Sequence, residues 1–343
     1  MKHRTFFWFI LPTLSAMILF IALPIVSVFI QSLFVEHEQV LVVSESCGPF
    51  GCNQTTSIDA EATAALREEK PLGRFNGLST YFDRSHLASA EVAEIWREST
   101  GLASFVNGLM DLKFYRALIF TLTYTFTVTP AVLILGLAIA VGVNNLPRAF
   151  RGVAIFISLL PFLVATVVGS MILSWMLDGE GIIGATLQNI FNDPSLTIKS
   201  STPLMWIALI VYGIWHTLPF SFITFYAGLQ TVSKDTLEAA QIDGANKWQS
   251  MIHVVVPHLM PLVSFVTLML LMDNFRVFEP IVSFNAEAHA QSLSIFIWSD
   301  LREAATRFML SAGATSILTI IGVAILLTPV LIRTWRDFNA KSH

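Results

Sequence analysis

Charge is scarce in this sequence. Only 13% of its 343 residues are Asp, Glu, Lys or Arg and 54% are hydrophobic, whereas a soluble domain carries about 25% charged residues. That shortage excludes an ordinary water-soluble domain. Cysteine is nearly absent: Cys47 and Cys52, in "CGPFGC", are the only two. A disulfide-dense scaffold is thereby excluded, and with no second ligand pair following, the spacing makes no complete metal site. The phosphate loop G-x-x-x-x-G-K-[ST] does not occur, so no nucleotide-driven motor lies within the chain. H-E-x-x-H and G-x-S-x-G are missing too, which leaves a membrane hydrolase unsupported. No catalytic residue or metal ligand is expected, and the chain reads as something other than an enzyme. It has no fixed-period repeat and no low-complexity tract.

What the sequence does contain is uncharged apolar runs of membrane-spanning length, about 20 residues each. There are six: Thr5–Val35, Ala117–Pro147, Gly152–Leu177, Ser200–Ser233, Trp248–Met272 and Phe308–Ile332. An all-α integral membrane protein with six transmembrane helices is expected. The first run follows Lys2 and Arg4 like a signal peptide, but it is too long and lacks a clear small-residue cleavage pattern, so retention as a helix is expected. Prolines at 12, 24, 130, 161 and 219 fall inside the runs. They are compatible with bends around a passage or with packing kinks.

The basic residues set an orientation. Lys2, Arg4, Arg148, Arg151, Lys234, Lys247, Arg333, Arg336 and Lys341 share one side, against Lys199, Arg302 and Arg307 on the other. The positive-inside rule then places both termini in the cytoplasm. The chain divides into residues 1–35 (N-terminus and first helix), an extracytoplasmic insert at 36–114, and a core at 115–343 that holds a cytoplasmic loop at 234–257. In the insert, "SIDAEATAALREEK" and "SAEVAEIWREST" have helical composition, and a small cap of two or three short helices is expected. Leu66, Phe75, Leu78, Tyr81, Leu87, Ile95 and Trp96 could supply its core. Outside the cytoplasm, Cys47 and Cys52 are a candidate disulfide; two separate thiols are the alternative.

The stretch "TLEAAQIDGANKWQSMIHVVVPHLMP", Thr236 to Pro261, turns polar between two apolar runs. Asp235 and Thr236 are candidate N-caps, and Glu238 stands early in the helix, where the dipole favours an acid. Gly244 can take a positive φ and end that helix, and a second short helix leads to Pro257. The expected product is a helix–turn–helix elbow with the small pair Ala239–Ala240 on its surface. It could dock a partner or merely join two spans.

Beyond it, Asp273, Arg276 and Glu279 recur every three residues, on about 120° of one helix face, with Asp273 roughly 24 Å along the helix from Pro257. Charges at such depth must be paired or wetted. Together with Asn274 they read either as a polar lining for a hydroxyl-rich solute or as a buried ion cluster. Tyr212 and Trp215 are candidate stacking platforms for sugar rings, or packing and interfacial anchors, and His216 reads as a satisfied core residue.

Glu238, Ala239, Ala240, Asp243, Gly244, Ala245, Trp248, Val254, Val256 and Pro257 together resemble the EAA loop of ABC-importer permeases. "LPIVSVFIQSLF", "FYRALIFTLTYT", "FRGVAIFISLLP", "AGLQTVSKDTLEAA", "NFRVFEPIVSF" and "RFMLSAGATS" extend the resemblance to the sugar-permease branch, the maltose and glycerol-phosphate type. It covers nearly all the chain except about residues 36–110. In place of the branch's Thr-x-Gly-Gly-Pro turn stands "SFNAEAHAQS".

The resemblance implies the type I importer permease fold in a bacterial inner membrane. Its function would be one half of an alternating-access pathway for a sugar or sugar derivative. Implied partners are a second permease forming a heterodimer, two ATP-binding subunits that hold ATP and Mg, an extracytoplasmic solute-binding protein and the lipid bilayer. No cofactor is expected in this chain and no nucleic acid. The elbow, Glu238 to Ala245, would be the coupling helix seated in the ATP-hydrolysing subunit. A permease for another small solute, or an ion-coupled secondary transporter, is the alternative.

Overall fold

A computed structural model describes residues 3–35, 37, 40–48, 51–70, 72–303 and 309–341. Among the described residues, five helices are long and apolar enough to cross a bilayer: Phe6–Ser32, Lys113–Asn144, Thr202–Leu229, Lys247–Phe275 and Ser311–Arg336. The third apolar run, expected as one helix with Pro161 inside it, is broken more sharply than a proline kink. It forms two helices, Arg148–Leu163 and Thr166–Met176, bent by 92° at a short break. Counted as one broken span, the pair brings the total to six. At the break, Val164 and Ala165 are both extended, with ψ of 122° and 137°.

The chain divides into two compact units. One comprises residues 1–115 with 296–320, the other residues 116–295 with 321–343. In the first unit, the helix from His3 widens to a π-turn at Ile18–Ala22 and resumes at Leu23–Ser32, with Pro24 in the new first turn. The missing N–H of Pro24 explains the turn: the Leu23 amide reaches back to the Ile18 carbonyl, five residues earlier. The 6–26 stretch is exposed throughout, an apolar surface suited to hydrocarbon.

After it come antiparallel strands that composition did not suggest. Phe34–Val35 pairs with Arg74–Phe75, and Leu41–Gly48 pairs with Gly51–Ile58. The hairpin register sets Cys47 opposite Cys52, while their side chains lie outside the described residues. The expected helices do form, at Ala60–Glu69 and Ser89–Glu98, with further ones at Ser79–Phe82 and Leu102–Met110. Asp59 caps the first of these, accepting from the amides of Glu61 and Ala62 at 3.1 and 2.9 Å.

The expected core of the insert is corrected. Of its seven apolar candidates only Tyr81 is buried; Phe75, Leu78 and Trp96 are exposed. Elements this short enclose no core of their own. Tyr81 is buried against Ala314 and Ile317 of the last long helix, and its hydroxyl shares a hydrogen bond with Ser32.

The second unit packs around a ridge on Lys113–Asn144: Phe120, Tyr124, Val128 and Val132, spaced four apart and buried. Met205, Leu209, Tyr212, Phe222 and Phe225 of Thr202–Leu229 meet it in one cluster. Glycine permits the close approach. A Cβ at Gly136 would collide with the Ser221 side chain, and one at Gly213 with the Tyr124 hydroxyl. At Gly142, on the same helix, a Cβ would meet nothing within 4 Å.

This contrast makes a prediction about helix packing. Gly136→Ala forces the two helices apart and costs about 1–3 kcal/mol of stability. Gly142→Ala leaves stability unchanged or raises it by roughly 0.5–1 kcal/mol through helix propensity. Thermal unfolding of the purified protein in mild detergent reads both. Equal unfolding temperatures for the two variants would contradict the packing.

Candidate functional site

The broken third span opens the second unit. A break in hydrocarbon frees backbone carbonyls that no water can satisfy. Here Thr202–Leu229 supplies the partners. The Tyr212 hydroxyl donates to the Thr166 carbonyl at 2.7 Å, and His216 Nε2 lies 3.3 Å from the Val164 carbonyl and 3.4 Å from Thr166 Oγ1. Tyr212 and His216 are one helical turn apart, and their rings stack at 5.7 Å.

A cavity of about 400 Å³ lies beside this junction, lined by Tyr124, Thr166, Tyr212, Gly213, His216, Thr217, Asp273, Asn274, Arg276, Val277, Phe278, Glu279, Pro280 and Ser294. Small-molecule sites run from about 300 to 1,000 Å³. The lining is polar, although it is built from spans that are otherwise apolar.

The fifth-span charges differ from expectation. The helix ends at Phe275, Arg276 is its C-cap at φ −102° and ψ 26°, and a separate short helix starts at Glu279. Asp273, Arg276 and Glu279 therefore do not share one helix face. The cause is local: the amides of Arg276 and Val277 turn back to the carbonyls of Asp273 and Asn274, each at 3.3 Å. Pro280, in the first turn of the next helix, then restarts it with φ already set.

Nor do the three form a buried ion cluster. Arg276 meets Asp273 at 3.2 Å with side chains 67% and 59% exposed, and Glu279 has no ion-pair partner among the described residues. An exposed pair of this kind stabilises little, about 0–1 kcal/mol.

The other candidates separate. Asn274 is buried and its amide nitrogen donates to Thr129 Oγ1 at 3.0 Å, which ties the fifth span to the second. Tyr212 is 1% exposed and its hydroxyl is committed to the break. Trp215 is exposed and stands outside the cavity lining. Sequence reasoning did not single out Tyr124, Thr166, Gly213, Thr217 and Ser294. The available signal was a small residue or hydroxyl inside an apolar run, which is common in packed membrane helices.

The elbow carries the other group of candidates. Ser233, not Asp235 or Thr236, is the N-cap residue of Lys234–Ile242, and Asp235 stands in its first turn. Asp235 and Thr236 are already helical because Ser233 is the last residue with extended backbone. Gly244 has φ +85°; its amide donates to Gln241 and that of Ala245 to Ala240, the paired bonds of a Schellman close.

Asn246 then caps the next helix with a capping box, its side chain accepting from the Gln249 amide at 2.8 Å while the Gln249 side chain accepts from its own amide at 2.9 Å. The second elbow helix is not a separate piece. It runs from Lys247 through a π-turn at Met251–Val255 into the fifth span. Glu238, Ala239, Ala240, Asp243, Gly244 and Ala245 are brought together in one turn of chain. Ile242 and Trp248 beside them are 86% and 71% exposed.

The sequence profile of the family described as "Binding-protein-dependent transport system inner membrane component" matches residues 99–337, well over half of the chain. The chain belongs to that family. This permease is 29% identical over 220 residues to the inner membrane ABC transporter permease protein YcjO of Escherichia coli K12, across 61% of this chain and 74% of that one. It is also 29% identical over 182 residues to the arabinooligosaccharides transport system permease protein AraP of Bacillus subtilis 168, covering 52% and 57% of the two chains.

Among solved structures, the permease is similar to a chain of a bacterial ABC transporter involved in import of the acidic polysaccharide alginate. Identity is 18% and the TM-score 0.54, over 80% of this chain and 95% of that one. A chain of a bacterial alginate ABC transporter in complex with an alginate pentasaccharide-bound periplasmic protein gives 19% and 0.56, over 78% and 92%. These likenesses give the permease its fold, the type I importer permease fold. It is a multi-pass inner membrane protein, a transport component rather than an enzyme, and family membership decides against the ion-coupled secondary transporter.

The hydroxyl of Tyr212 yields a prediction. Tyr212→Phe removes one of two hydroxyl donors to the Thr166 carbonyl, leaving that of Ser170 at 2.7 Å, and lowers the stability of the permease by about 0.5–1.5 kcal/mol. Trp215→Phe, on an exposed surface, shifts it by less than about 0.5 kcal/mol. Unfolding followed by fluorescence in detergent distinguishes them; equal shifts would remove Tyr212 from its place at the break.

Proposed function

We propose that this permease forms half of the translocation pathway for a sugar or sugar derivative in an ATP-driven importer. It would pair with a second, non-identical permease, two ATP-binding subunits that hold ATP and Mg, and an extracytoplasmic solute-binding protein. The observation that carries the reading is the polar cavity at the junction of Asp273, Arg276 and Glu279 with the broken third span. Hydroxyl-rich solutes need hydrogen-bonding groups along their path, and this lining provides them inside apolar spans. The names of relatives support the class: AraP is a permease for arabino-oligosaccharides, and SugA of Mycobacterium tuberculosis, 29% identical over 181 residues, is a trehalose permease.

In this reading both termini and the 234–257 loop are cytoplasmic, and residues 36–114 form the extracytoplasmic insert. Cys47 and Cys52 close the hairpin tip as a disulfide, which their opposed register supports. The elbow is the coupling element. Its exposed Ile242 and Trp248 flank a turn held by a Schellman close and a capping box, and a turn so constrained transmits force without folding up. ATP-driven closure of the motor subunits would move the elbow, and the spans would reopen outward. Asp273, Arg276 and Glu279 would contact the solute, with Asn274 and Tyr212 holding the walls.

Uptake of a radiolabelled oligosaccharide and ATP hydrolysis, measured together in the assembled transporter, test this. Gly244→Pro removes the Gly244 amide and excludes its φ of +85°, and Glu238→Lys reverses a charge on the elbow. Both variants are expected to insert normally and to lose uptake by more than about 10-fold, a barrier of roughly 1.4 kcal/mol, while hydrolysis persists. Undiminished uptake by both would remove the elbow from coupling.

A further inference from the structure

The cavity at the broken third span contains unequal charge. It holds two carboxylates, Asp273 and Glu279, and one guanidinium, Arg276. Arg276 is already engaged by Asp273 at 3.2 Å. Glu279 is exposed in the lining and has no ion-pair partner among the described residues.

Three of the neutral lining groups are committed within the protein. The Tyr212 hydroxyl donates to Thr166, the Thr217 hydroxyl to Gly213, and the Asn274 amide to Thr129. What faces an incoming solute therefore has one carboxylate more than it has guanidinium groups. Walls of low dielectric focus such a charge far more strongly than open solvent does.

We infer that this pathway discriminates by charge: it admits neutral and cationic hydroxyl-rich solutes and rejects anionic ones such as uronates, with Glu279 as the residue that sets the rule. The inference rests on the proposed role of the cavity as the solute path. A neutral sugar satisfies the carboxylates through its hydroxyl donors, and an amino sugar does so with a charge-assisted bond. A uronate brings a third carboxylate to a site with a single guanidinium, one nitrogen of which already faces Asp273, and like charges at contact are unfavourable.

The test reads the charge of the cavity without knowing the solute. Thr217→Cys and, separately, Ser294→Cys place a thiol in the lining by near-isosteric substitution. The full-length variants in detergent are treated with a cationic trimethylammonium-ethyl and an anionic sulfonato-ethyl methanethiosulfonate. Rates are normalised to those with a free thiol, and the unsubstituted chain serves as blank for Cys47 and Cys52.

The cationic reagent is expected to react faster at both positions by about 10-fold or more at low salt. The preference should fall toward unity as ionic strength approaches 1 M. Glu279→Gln should abolish most of it, whereas Arg276→Gln should enlarge it. Equal or faster reaction of the anionic reagent overturns the inference, as does a preference that survives Glu279→Gln, or a lack of reaction with either reagent at both positions. If the preference holds but no sugar is taken up by the assembled transporter, the sugar reading fails and the charge rule stands. If sugar uptake holds without the preference, the reverse is true.

Discussion

Backbone carbonyls left without donors in hydrocarbon cost several kcal/mol each, and the middle of this permease is organised by that cost. A 92° bend in the third span interrupts the helical bonding at Val164 and Ala165, and the Thr166 carbonyl just beyond it takes hydroxyl donors from both Ser170 and Tyr212. Tyr212 and His216, one turn apart on the neighbouring span, come to meet the bend. With those two side chains drawn to the bend, Thr217 and Gly213 on the same helix are turned toward the same space. The close of the fifth span, from Asp273 to Glu279, completes the wall. A polar cavity in apolar surroundings is thus the local outcome of satisfying one bend.

Small residues and hydroxyls do the remaining work. Between spans there is no hydrophobic gain to exploit, because lipid tails are as apolar as leucine, so close packing and interhelical hydrogen bonds must hold the helices together. Gly136 against Ser221, Gly213 against Tyr124, and Asn274 bonded to Thr129 are the observed instances. Each lies on Lys113–Asn144 or across from it, which makes that helix the one against which the others are set.

Much of this architecture was legible in the sequence, and what escaped has physical reasons. Uncharged runs mark spans because charge is costly in hydrocarbon, and the elbow is marked by Gly244 and the polar residues around it. The break at Val164–Ala165 was hidden because its donors lie about 50 residues away, and Pro161 marks it no more strongly than Pro130 and Pro219 mark helices that stay continuous. The end of the fifth helix at Phe275 was missed because spacing of three imitates a helix face even where the chain turns. Pro280 was the local hint. The Leu41–Ile58 hairpin lies in a stretch of Ser, Thr, Gly and Asn whose apolar residues do not alternate cleanly. The insert's core was misjudged because Tyr81 finds its packing partners in the last long helix, more than 200 residues along the chain.

The two π-turns, at Ile18–Ala22 and Met251–Val255, are each followed by a helix with proline in its first turn, Pro24 and Pro257. A π-turn amounts to one extra residue inserted into an α-helix, so it shifts the angular phase of everything on one side of it by about 100°. In the fifth span the turn separates the elbow, with its exposed Trp248, from the far end that bears Asp273. The direction in which the elbow points relative to the cavity wall is therefore set by the residue count between them. Removing one residue from Met251–Val255 would close the wide turn into ordinary helix and swing the elbow to another compass bearing, with every side chain in the cavity still in place.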